Sequence, residues 1–384
     1  MSEAPITYQE SGVDAGGRRG ALLVPEGPAI GSQSCSHGAA CHVTALDPAS
    51  IAAWTRYVLT HPEGTMFHTV GWRAAVAQAF GHRSVYLIAR RSARIVGVLP
   101  LFVVPSRFGG RMLVSVPYGV GGGIIADDAD AAALLFDEAK RIADGEQCTV
   151  IDLRHERAAA PDVPIDERYL GFRRELPHRC EEVLEWLPRK ARAAARNGRK
   201  KYRLTVDFGD EHLAEVWRLY TLSMRRLGSL SYPLPFFQTL LDRTPNRPWV
   251  SLVRWEGRAV AGLVTFLFKD SVMPYFFGSS RLAARCSAAN FIYLSVMERA
   301  ADGGFRTFDF GRSRRDNAGS VNFKRFNGFE PHVLQYQRYL PPGRKCADLS
   351  SGAKRFRLAR RVWPWLPLAV TRSLGARLSR QIPG

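Results

Sequence analysis

The chain has 384 residues, and 46% of them are hydrophobic, so it is long enough for two domains with sizeable cores. Its 54 lysines and arginines outnumber 35 acidic residues by 19, which favours polyanionic neighbours: nucleic acid, phosphorylated sugar precursors or an anionic membrane surface. Six scattered cysteines without a CxxC pair argue against a disulfide framework and against a metal site, and no apolar run approaches the ~20 residues of a membrane span.

The first 42 residues are rich in glycine, alanine, serine and proline and show no sustained hydrophobic period. This composition predicts a disordered leader. The leader lacks the basic stretch followed by an apolar core that marks a signal peptide, so we expect a cytoplasmic protein.

A globular pattern begins at Val43. Amphipathic spacing predicts helices, and alternating apolar residues bounded by turn residues predict strands. The predicted helices span 49–59, 71–80 and 127–143, and the predicted strands span 84–90, 94–104, 111–116 and 149–154. The glycine-rich segment 117–123 lacks the GKS or GKT of a phosphate-binding loop and is predicted to be a tight turn.

A polar interval with several prolines, 161–177, is predicted to cross between two domains. It is followed by a basic run, 187–203, in which eight residues are lysine or arginine and none is acidic. At helical spacing one face of this run carries arginines, which fits contact with a diphosphate-linked precursor and equally fits a solvated helix between domains. The arginines of this face are Arg189, Arg192, Arg196 and Arg199.

The second half repeats the element order of the first: helices, a hairpin, a strand, a helix and a strand. The predicted helices span 211–226, 236–241 and 290–301, and the predicted strands span 249–255, 259–268 and 272–277. We interpret the order as a tandem duplication of one α/β (α+β) fold with mixed, largely antiparallel sheets flanked by helices.

The segment 305–340 concentrates the chemistry. A strand over 305–310 is predicted to end at Gly311, with Arg312 to Arg315 as a cationic turn. The sequence FKRFNGF at 323–329 surrounds one lysine with aromatic residues, and a closing strand follows over 332–339. Cations beside a dry aromatic pocket predict a site for an anionic or oxyanion-bearing ligand.

These residues also carry a resemblance. FDFGRS at 308–313, FKxxxGF at 323–329 and the strand ending at Leu340, with FHTVGW and GVLPL in the first half, resemble the FemAB-like branch of the GNAT acyltransferase superfamily. The chain is most similar to the subgroup associated with exosortase (PEP-CTERM) and exopolysaccharide systems.

The resemblance implies tandem GNAT-like domains that transfer an acyl or aminoacyl group onto an amine of a cell-envelope precursor. Together with the composition of the chain, it divides the sequence into a disordered leader, an N-terminal GNAT-like domain, a basic inter-domain segment, a C-terminal GNAT-like domain and a basic tail. Their boundaries are 1–42, 43–180, 181–203, 204–340 and 341–384.

The resemblance places Lys324 at the acceptor diphosphate or at the developing oxyanion, as a catalytic residue. Without the resemblance, a lysine that passes the aromatic rings to reach solvent explains the pattern better. Asp309 is the second catalytic candidate, because it could orient a cationic amine or anchor Arg312; capping of the turn is the alternative. Arg312 and Ser313 are expected to donate hydrogen bonds to a phosphate or a carbonyl.

Four further residues are candidates for binding the acceptor. The resemblance puts Arg192 and Arg196 near the acceptor site. Tyr275 and Tyr293 could line the acceptor cleft, although core packing explains each of them better. The expected acceptor is an anionic or lipid-linked sugar.

The expected reaction is direct attack of an amine on a thioester or ester, since no pattern supports a covalent nucleophile or a metal. Acyl-CoA is one candidate donor, but 281–290 (RLAARCSAAN) has none of the glycines that let a GNAT loop cradle the CoA pyrophosphate. An aminoacyl-tRNA donor is the alternative, and it is the case in which nucleic acid is a partner.

The tail, 341–384, holds ten lysines and arginines and one acid, Asp348. Its apolar segment 362–370 contains two tryptophans, and this combination indicates an anchor at an anionic membrane surface, which would make the protein peripheral on the inner membrane. A non-catalytic adaptor for polyanionic glycans or anionic membranes is the rival function, and nucleic-acid binding ranks third.

Overall fold

The computed structural model describes residues 40–344 and 356–384, so the predicted leader lies almost entirely outside the described residues. Within them, fifteen strands form two mixed sheets flanked by helices. The strands are β1 (Cys41–Ala45), β2 (Arg83–Arg91), β3 (Arg94–Ser106), β4 (Gly110–Ser115), β5 (Ile125–Ala126), β6 (Val150–Leu153), β7 (Ile165–Asp166), β8 (Tyr169–Glu175), β9 (Thr205–Phe208), β10 (Trp249–Trp255), β11 (Arg258–Phe268), β12 (Ser271–Ser279), β13 (Thr307–Arg314), β14 (Pro331–Val333) and β15 (Tyr336–Tyr339).

Helices cover the segments predicted to be helical, and they also cover four segments for which no helix was predicted, 180–186, 318–326, 357–362 and 368–379. They are α1 (Ile51–Thr60), α2 (Val70–Phe80), α3 (Ala129–Gly145), α4 (Cys180–Trp186), α5 (Arg189–Lys200), α6 (Leu213–Arg226), α7 (Leu234–Arg243), α8 (Ala288–Asp302), α9 (Ala318–Phe326), α10 (Arg357–Val362) and α11 (Leu368–Ser379). Local signals set their ends: the Asp128 side chain caps the N-terminus of α3, and Gly81, at φ +72°, ends α2.

The two sheets have one design. The first runs β1-β2-β3-β4-β6-β15-β7, with the short β5 against β3, and the second runs β9-β10-β11-β12-β13-β8-β14. Each contains one parallel contact, β4 with β6 or β12 with β13, and the chain crosses between the parallel strands through α3 or α8. The predicted class, a repeated α/β unit with largely antiparallel sheets, is confirmed.

The two halves of the chain exchange strands: the last strand of each half pairs within the sheet of the other half. β8 lies in the interval predicted to cross between domains, yet it pairs with β13 of the second sheet. β15 closes the second half but pairs with β6 and β7 of the first sheet. The predicted domain boundaries remain a prediction. β8 lies before the boundary at 180 but belongs to the second sheet, and β15 lies before the boundary at 340 but belongs to the first.

Two further predictions about strands are wrong. The strand predicted over 332–339 is two strands in different sheets, β14 and β15. The strand predicted to end at Gly311 continues to Arg314, because Gly311, at φ +63°, forms a bulge instead of a turn. The pairs Asp309 with Arg173 and Arg312 with Gly171 bracket this bulge, so three steps on β13 oppose two on β8.

One core lies between the sheets and joins the two halves. Trp72 of α2 has no exposed surface, and its ring lies 5.6 Å from Phe236 of α7 and 6.2 Å from Phe266 of β11. Helices α2 and α7 meet at backbone distance, because a Cβ on Gly71 would lie 2.2 Å from the Arg243 carbonyl oxygen. Separate cores cover the outer faces, with α3 on the first sheet and α4, α5 and α8 on the second.

Candidate active site

A cleft lies between the two sheets, at the bulge of β13. Its walls are the glycine-rich segment after β4, the residues that follow β6, and strands β8 and β13. The titratable side chains that line it are Glu63, His68, Arg154, His155, Glu156, Arg157, Arg173, Asp309, Arg312 and His332.

Asp309 is the carboxylate at the centre of this cleft, with 14% of its side chain exposed. Its Oδ1 accepts a hydrogen bond of 2.7 Å from the Gly311 N–H, and its Oδ2 lies 3.7 Å from Arg173 Nε. Burial raises the pKa of Asp309, although Arg173 and the Gly311 N–H oppose the rise. The carboxylate is therefore a stronger base than an ordinary aspartate.

Arg312 lines the same cleft, and the bulge is the reason. Residues three apart on a regular strand face opposite sides, but the extra residue returns Arg312 to the side of Asp309. The guanidinium lies over the rings of Tyr169, at 4.5 Å, and Tyr336, at 5.7 Å, and it donates a 3.3 Å hydrogen bond to the Tyr336 hydroxyl. These contacts fix the cation in place.

Lys324 braces the bulge from α9 and is not among the residues that line the cleft. The side chain is buried, and Nζ donates hydrogen bonds of 3.1 and 3.0 Å to the carbonyl oxygens of Gly311 and Arg312. It also lies 4.7 Å from the ring centre of buried Phe172. Burial lowers the pKa of Lys324 to about 7. A neutral amine has two N–H groups, which matches the two carbonyls.

Ser313 and Tyr293 lie away from the cleft. The hydroxyl of buried Ser313 is 2.7 Å from that of Ser320 on α9, on the side opposite Arg312. The Tyr293 ring packs at 4.9 Å from Phe310 of β13 and 5.6 Å from Phe277 of β12. Tyr293 therefore fills the space where the two parallel strands diverge beyond their two paired positions.

Tyr275 links the two halves instead of lining the cleft. Its hydroxyl donates a 2.7 Å hydrogen bond to the Tyr118 carbonyl, and its ring packs against Phe67 at 5.7 Å. It thereby holds the glycine-rich segment, which does line the cleft, against β12 of the second sheet.

Arg192 and Arg196 lie on α5, and the structure does not bring them to the cleft. Both form ion pairs with Glu185 at the end of α4, and the Arg196 Nη2 lies 3.2 Å from its Oε1. The buried face of α5 consists of small residues against α8, which leaves the arginines half-buried or exposed. Their role in acceptor binding stays a prediction.

Two buried histidines of the cleft were missed by the sequence analysis. His68 accepts a 3.1 Å hydrogen bond at Nδ1 from the Thr65 N–H, so its Nε2 donates to the Gly123 carbonyl at 2.9 Å. His155 lies against Gly123, where a Cβ would come within 2.2 Å of its Nδ1. Neither ring nitrogen of His155 has a hydrogen-bond partner among the described residues. Burial lowers the pKa of His68 to about 4 and of His155 to about 3, so both are neutral at neutral pH.

Glu156 and Arg173 form the polar rim of the cleft and were also missed. Their side chains form an ion pair of 2.6 Å, and His332 Nε2 lies 3.7 Å from Glu156 Oε1. The sequence held one signal for Glu156, because His155 and Glu156 directly follow the strand predicted over 149–154. Polar residues at the carboxyl end of a strand that pairs in parallel often form ligand sites.

The turn between β12 and α8 occupies the place where a GNAT loop would cradle a pyrophosphate. The turn has no glycine, and three of its N–H groups are used inside it: Ala283 donates to the Ser280 carbonyl, Arg285 to the Leu282 carbonyl and Ala288 to the Ala283 carbonyl, at 3.0–3.3 Å. The turn therefore does not fit the CoA pyrophosphate in the usual way.

Residues 40–344 and 356–384 contain no group of three or more histidine, cysteine or acidic side chains suited to hold a metal ion. In the same part of the chain, no helix combines the length and the apolar character that a membrane crossing requires.

Comparison with known proteins agrees with this architecture. Residues 182–325 match the family model described as acetyltransferase (GNAT) domain. The structure is similar to FemX, with 16% identity and a TM-score of 0.59 over 78% of this chain and 97% of that one. No curated protein matches by sequence.

Two further solved structures share the fold. L-PGS from Bacillus licheniformis has 14% identity and a TM-score of 0.52 over 88% of this chain and 98% of its own. A tandem GNAT protein from the clavulanic acid biosynthesis pathway has 11% identity and a TM-score of 0.50, over 78% and 98%.

Residues 182–325 thus carry a GNAT-type acyltransferase domain, within a chain built from two sheets of one design. The chain has the fold of the FemAB-like branch of the GNAT superfamily, and the resemblance predicted from its sequence is confirmed. Its association with exosortase systems remains a prediction.

Proposed function

We propose that this chain transfers an acyl or aminoacyl group from a thioester or ester donor onto an amino group of a cell-envelope or exopolysaccharide precursor. The observation that carries the proposal is Asp309, a largely buried carboxylate of raised pKa that lines the cleft between the two sheets. A base in a cleft of this fold suits the deprotonation of an attacking amine.

In the proposed reaction the amine nitrogen attacks the carbonyl carbon of the donor. The new C–N bond forms as the C–S or C–O bond breaks, and the amine proton passes to the Asp309 carboxylate and from there, through water, to the leaving thiolate or alkoxide, which restores the carboxylate. Arg312, fixed beside Asp309 by its two tyrosines, holds a phosphate of the acceptor or the developing oxyanion.

Lys324 supports this chemistry from behind the strand. Its hydrogen bonds to the Gly311 and Arg312 carbonyls hold the bulge that puts Asp309 and Arg312 on one side. The catalytic role predicted for Lys324 thus becomes, in our proposal, the role of a positioning residue.

The acceptor is, in this proposal, an anionic or lipid-linked sugar that carries an amine, met at the cytoplasmic face of the inner membrane. Support comes from the mixed charges of the cleft, where Arg157 and Arg312 attract phosphate and Asp309 and Glu156 attract an ammonium group. The predicted link to exopolysaccharide and exosortase systems belongs to the same proposal.

The donor is acyl-CoA or aminoacyl-tRNA. The tandem GNAT neighbour, described as solved without AcCoA, supports acyl-CoA as the donor. The turn between β12 and α8, which has no glycine, argues against the usual pyrophosphate cradle. A thermal-shift titration with acetyl-CoA, longer acyl-CoAs and free CoA separates the two. Saturable stabilisation by an acyl-CoA assigns the CoA donor, whereas no shift with any of them points to the tRNA donor or to the adaptor described below.

The same turn is the specific observation that favours the second candidate, a non-catalytic adaptor that has lost donor binding. A transfer assay separates adaptor from enzyme: the chain is incubated with each donor and with amino sugars, free and lipid-linked, and the acylated amine is detected by mass spectrometry. The enzyme predicts product with at least one pair, and the adaptor predicts binding without product.

A further inference from the structure

The described tail presents an exposed apolar face beside arginines. Leu358, Val362 and Trp365 follow one another at helical spacing and are 73%, 48% and 87% exposed. Leu227, at the end of α6, is also 62% exposed, and its neighbour Gly228 lies against the Arg360 backbone. We propose that this face, called the tail face below, binds the surface of an anionic lipid bilayer.

The tail face is held by the body of the protein. Trp363, between the exposed residues, is buried, and Arg225 donates a 3.3 Å hydrogen bond to the Leu366 carbonyl. Arg372 of α11 lies 4.4 Å from the ring centre of Trp217 and donates a 3.2 Å hydrogen bond to the Thr221 hydroxyl. Trp365 is therefore exposed on a docked segment, which lowers the ordering cost of binding.

Charge complementarity selects the bilayer as the occupant. Residues 356–384 hold six arginines and no acidic residue. Arginines attract anionic headgroups, tryptophan prefers the depth of the headgroups, and leucine and valine reach the boundary of the acyl chains. Nucleic acid would also bind the arginines, but it offers no apolar surface on which the exposed leucine and valine could be buried. The exposed set thus differs from the predicted apolar segment 362–370, because Trp363 faces inward.

The tail face and the cleft belong to one folded unit. Tyr118, in the glycine-rich segment, donates a 2.7 Å hydrogen bond from its backbone N–H to the carbonyl of Pro383, which follows α11. Arg154, which lines the cleft, donates to the same carbonyl at 3.3 Å. Membrane binding would thus hold the cleft at a fixed orientation to the bilayer, and it does not depend on whether the cleft is catalytic.

The test is co-sedimentation of the full chain with vesicles of phosphatidylglycerol and phosphatidylcholine in equal amounts, at low and high salt, with pure phosphatidylcholine vesicles for comparison. We expect binding to the anionic vesicles that weakens with salt. Trp365→Ser should weaken it about tenfold, and Arg357→Gln with Arg361→Gln about thirtyfold. A blue shift of tryptophan emission on vesicle binding should shrink in Trp365→Phe.

Matched variants separate the tail face from general charge and hydrophobicity. Ile165→Ser removes an apolar side chain that is 44% exposed on β7, and Arg56→Gln with Arg258→Gln removes two exposed cations elsewhere. Neither should change vesicle binding by more than about twofold. The inference is overturned if the wild-type protein does not bind anionic vesicles, or if it binds RNA but no vesicles. It is also overturned if the control variants lose as much vesicle binding as the tail variants.

Discussion

Asp309 and Arg173 are direct partners across β13 and β8, and the Asp309 Oδ2 lies 3.7 Å from the Arg173 Nε. Arg173 belongs to a strand that follows the first half of the chain, whereas Asp309 belongs to the second half. The strand exchanged between the sheets therefore supplies the cation that opposes the rise in the pKa of the buried Asp309.

The raised pKa of Asp309 predicts the pH dependence of transfer. Asp309 accepts a proton only when it is ionised, so the rate should rise with pH through its pKa, at a higher pH than an ordinary aspartate would give. The measurement is kcat/KM for the acceptor across pH. Burial lowers the pKa of His68 to about 4 and that of His155 to about 3, so neither histidine should add a limb to the pH profile near neutral pH. An acid limb unchanged in Asp309→Asn would assign it to another group.

Removal of the Lys324 amine should destabilise the bulge. In Lys324→Met the Gly311 and Arg312 carbonyls lose their donor, which costs roughly 1–3 kcal/mol of unfolding free energy above pH 7. Chemical denaturation measures it, with exposed Lys200→Met as the control. Lost turnover at unchanged stability would instead support the catalytic role predicted from the sequence.

The same lysine should leave a signature in the pH dependence of stability. Its pKa is about 7 in the folded chain and has the ordinary value of 10.5 in the unfolded chain. Between these values the unfolded chain binds more protons, so the unfolding free energy should rise with pH, and Lys324→Met should remove part of that rise. An equal slope in both proteins would contradict the lowered pKa.

Arg312→Gln should raise the KM for an anionic acceptor about tenfold, because it removes a fixed cation from the cleft. Arg192→Gln with Arg196→Gln should change it little, because both arginines pair with Glu185 outside the cleft. A larger effect of the double variant would return the acceptor site to the basic run, as the sequence predicts.

Gln337 of the exchanged strand β15 offers a test of the architecture. Its buried amide accepts hydrogen bonds from the Ala159 and Ala160 N–H groups and donates to the Ala160 and Val163 carbonyls. Gln337→Met should lower the unfolding free energy by roughly 2–3 kcal/mol, whereas exposed Gln238→Met should change it by less than about 0.5 kcal/mol. Equal stability of the two variants would contradict a structural role for this pairing.

Helices and hairpins could be predicted from the sequence because their signals are local. The helix over 127–143 appears as Ala129–Gly145, and the hairpin of 84–90 with 94–104 appears with one or two more residues at most strand ends. Period and capping decide such elements without help from the rest of the chain.

The strand exchange could not be predicted from the sequence, because the sheet that a strand joins depends on its pairing partners elsewhere in the chain. β8 has only two buried residues, Gly171 and Phe172, and its sequence, YLGFRRE, does not alternate apolar with polar residues, so its local pattern does not indicate a strand. The bulge at Gly311 has the same cause: a glycine at positive φ suits a turn and a bulge alike, and the pairing with β8 decides between them.

The candidate site was predicted in part. Asp309 and Arg312 line the cleft, but Lys324 and Ser313 lie behind the strand, since the side of each residue depends on the bulge. His155 and Glu156 were missed because they come from the other half of the chain and meet the bulge only in the folded protein.

The most direct test of the central claim is the rate of acyl transfer by Asp309→Asn relative to wild type, with Asp316→Asn as the control carboxylate, which is largely exposed and paired with Arg314. The proposal predicts product from wild type and Asp316→Asn, and a loss of about a hundredfold or more in Asp309→Asn with unchanged thermal stability. Transfer by Asp309→Asn at the wild-type rate would contradict the proposed base.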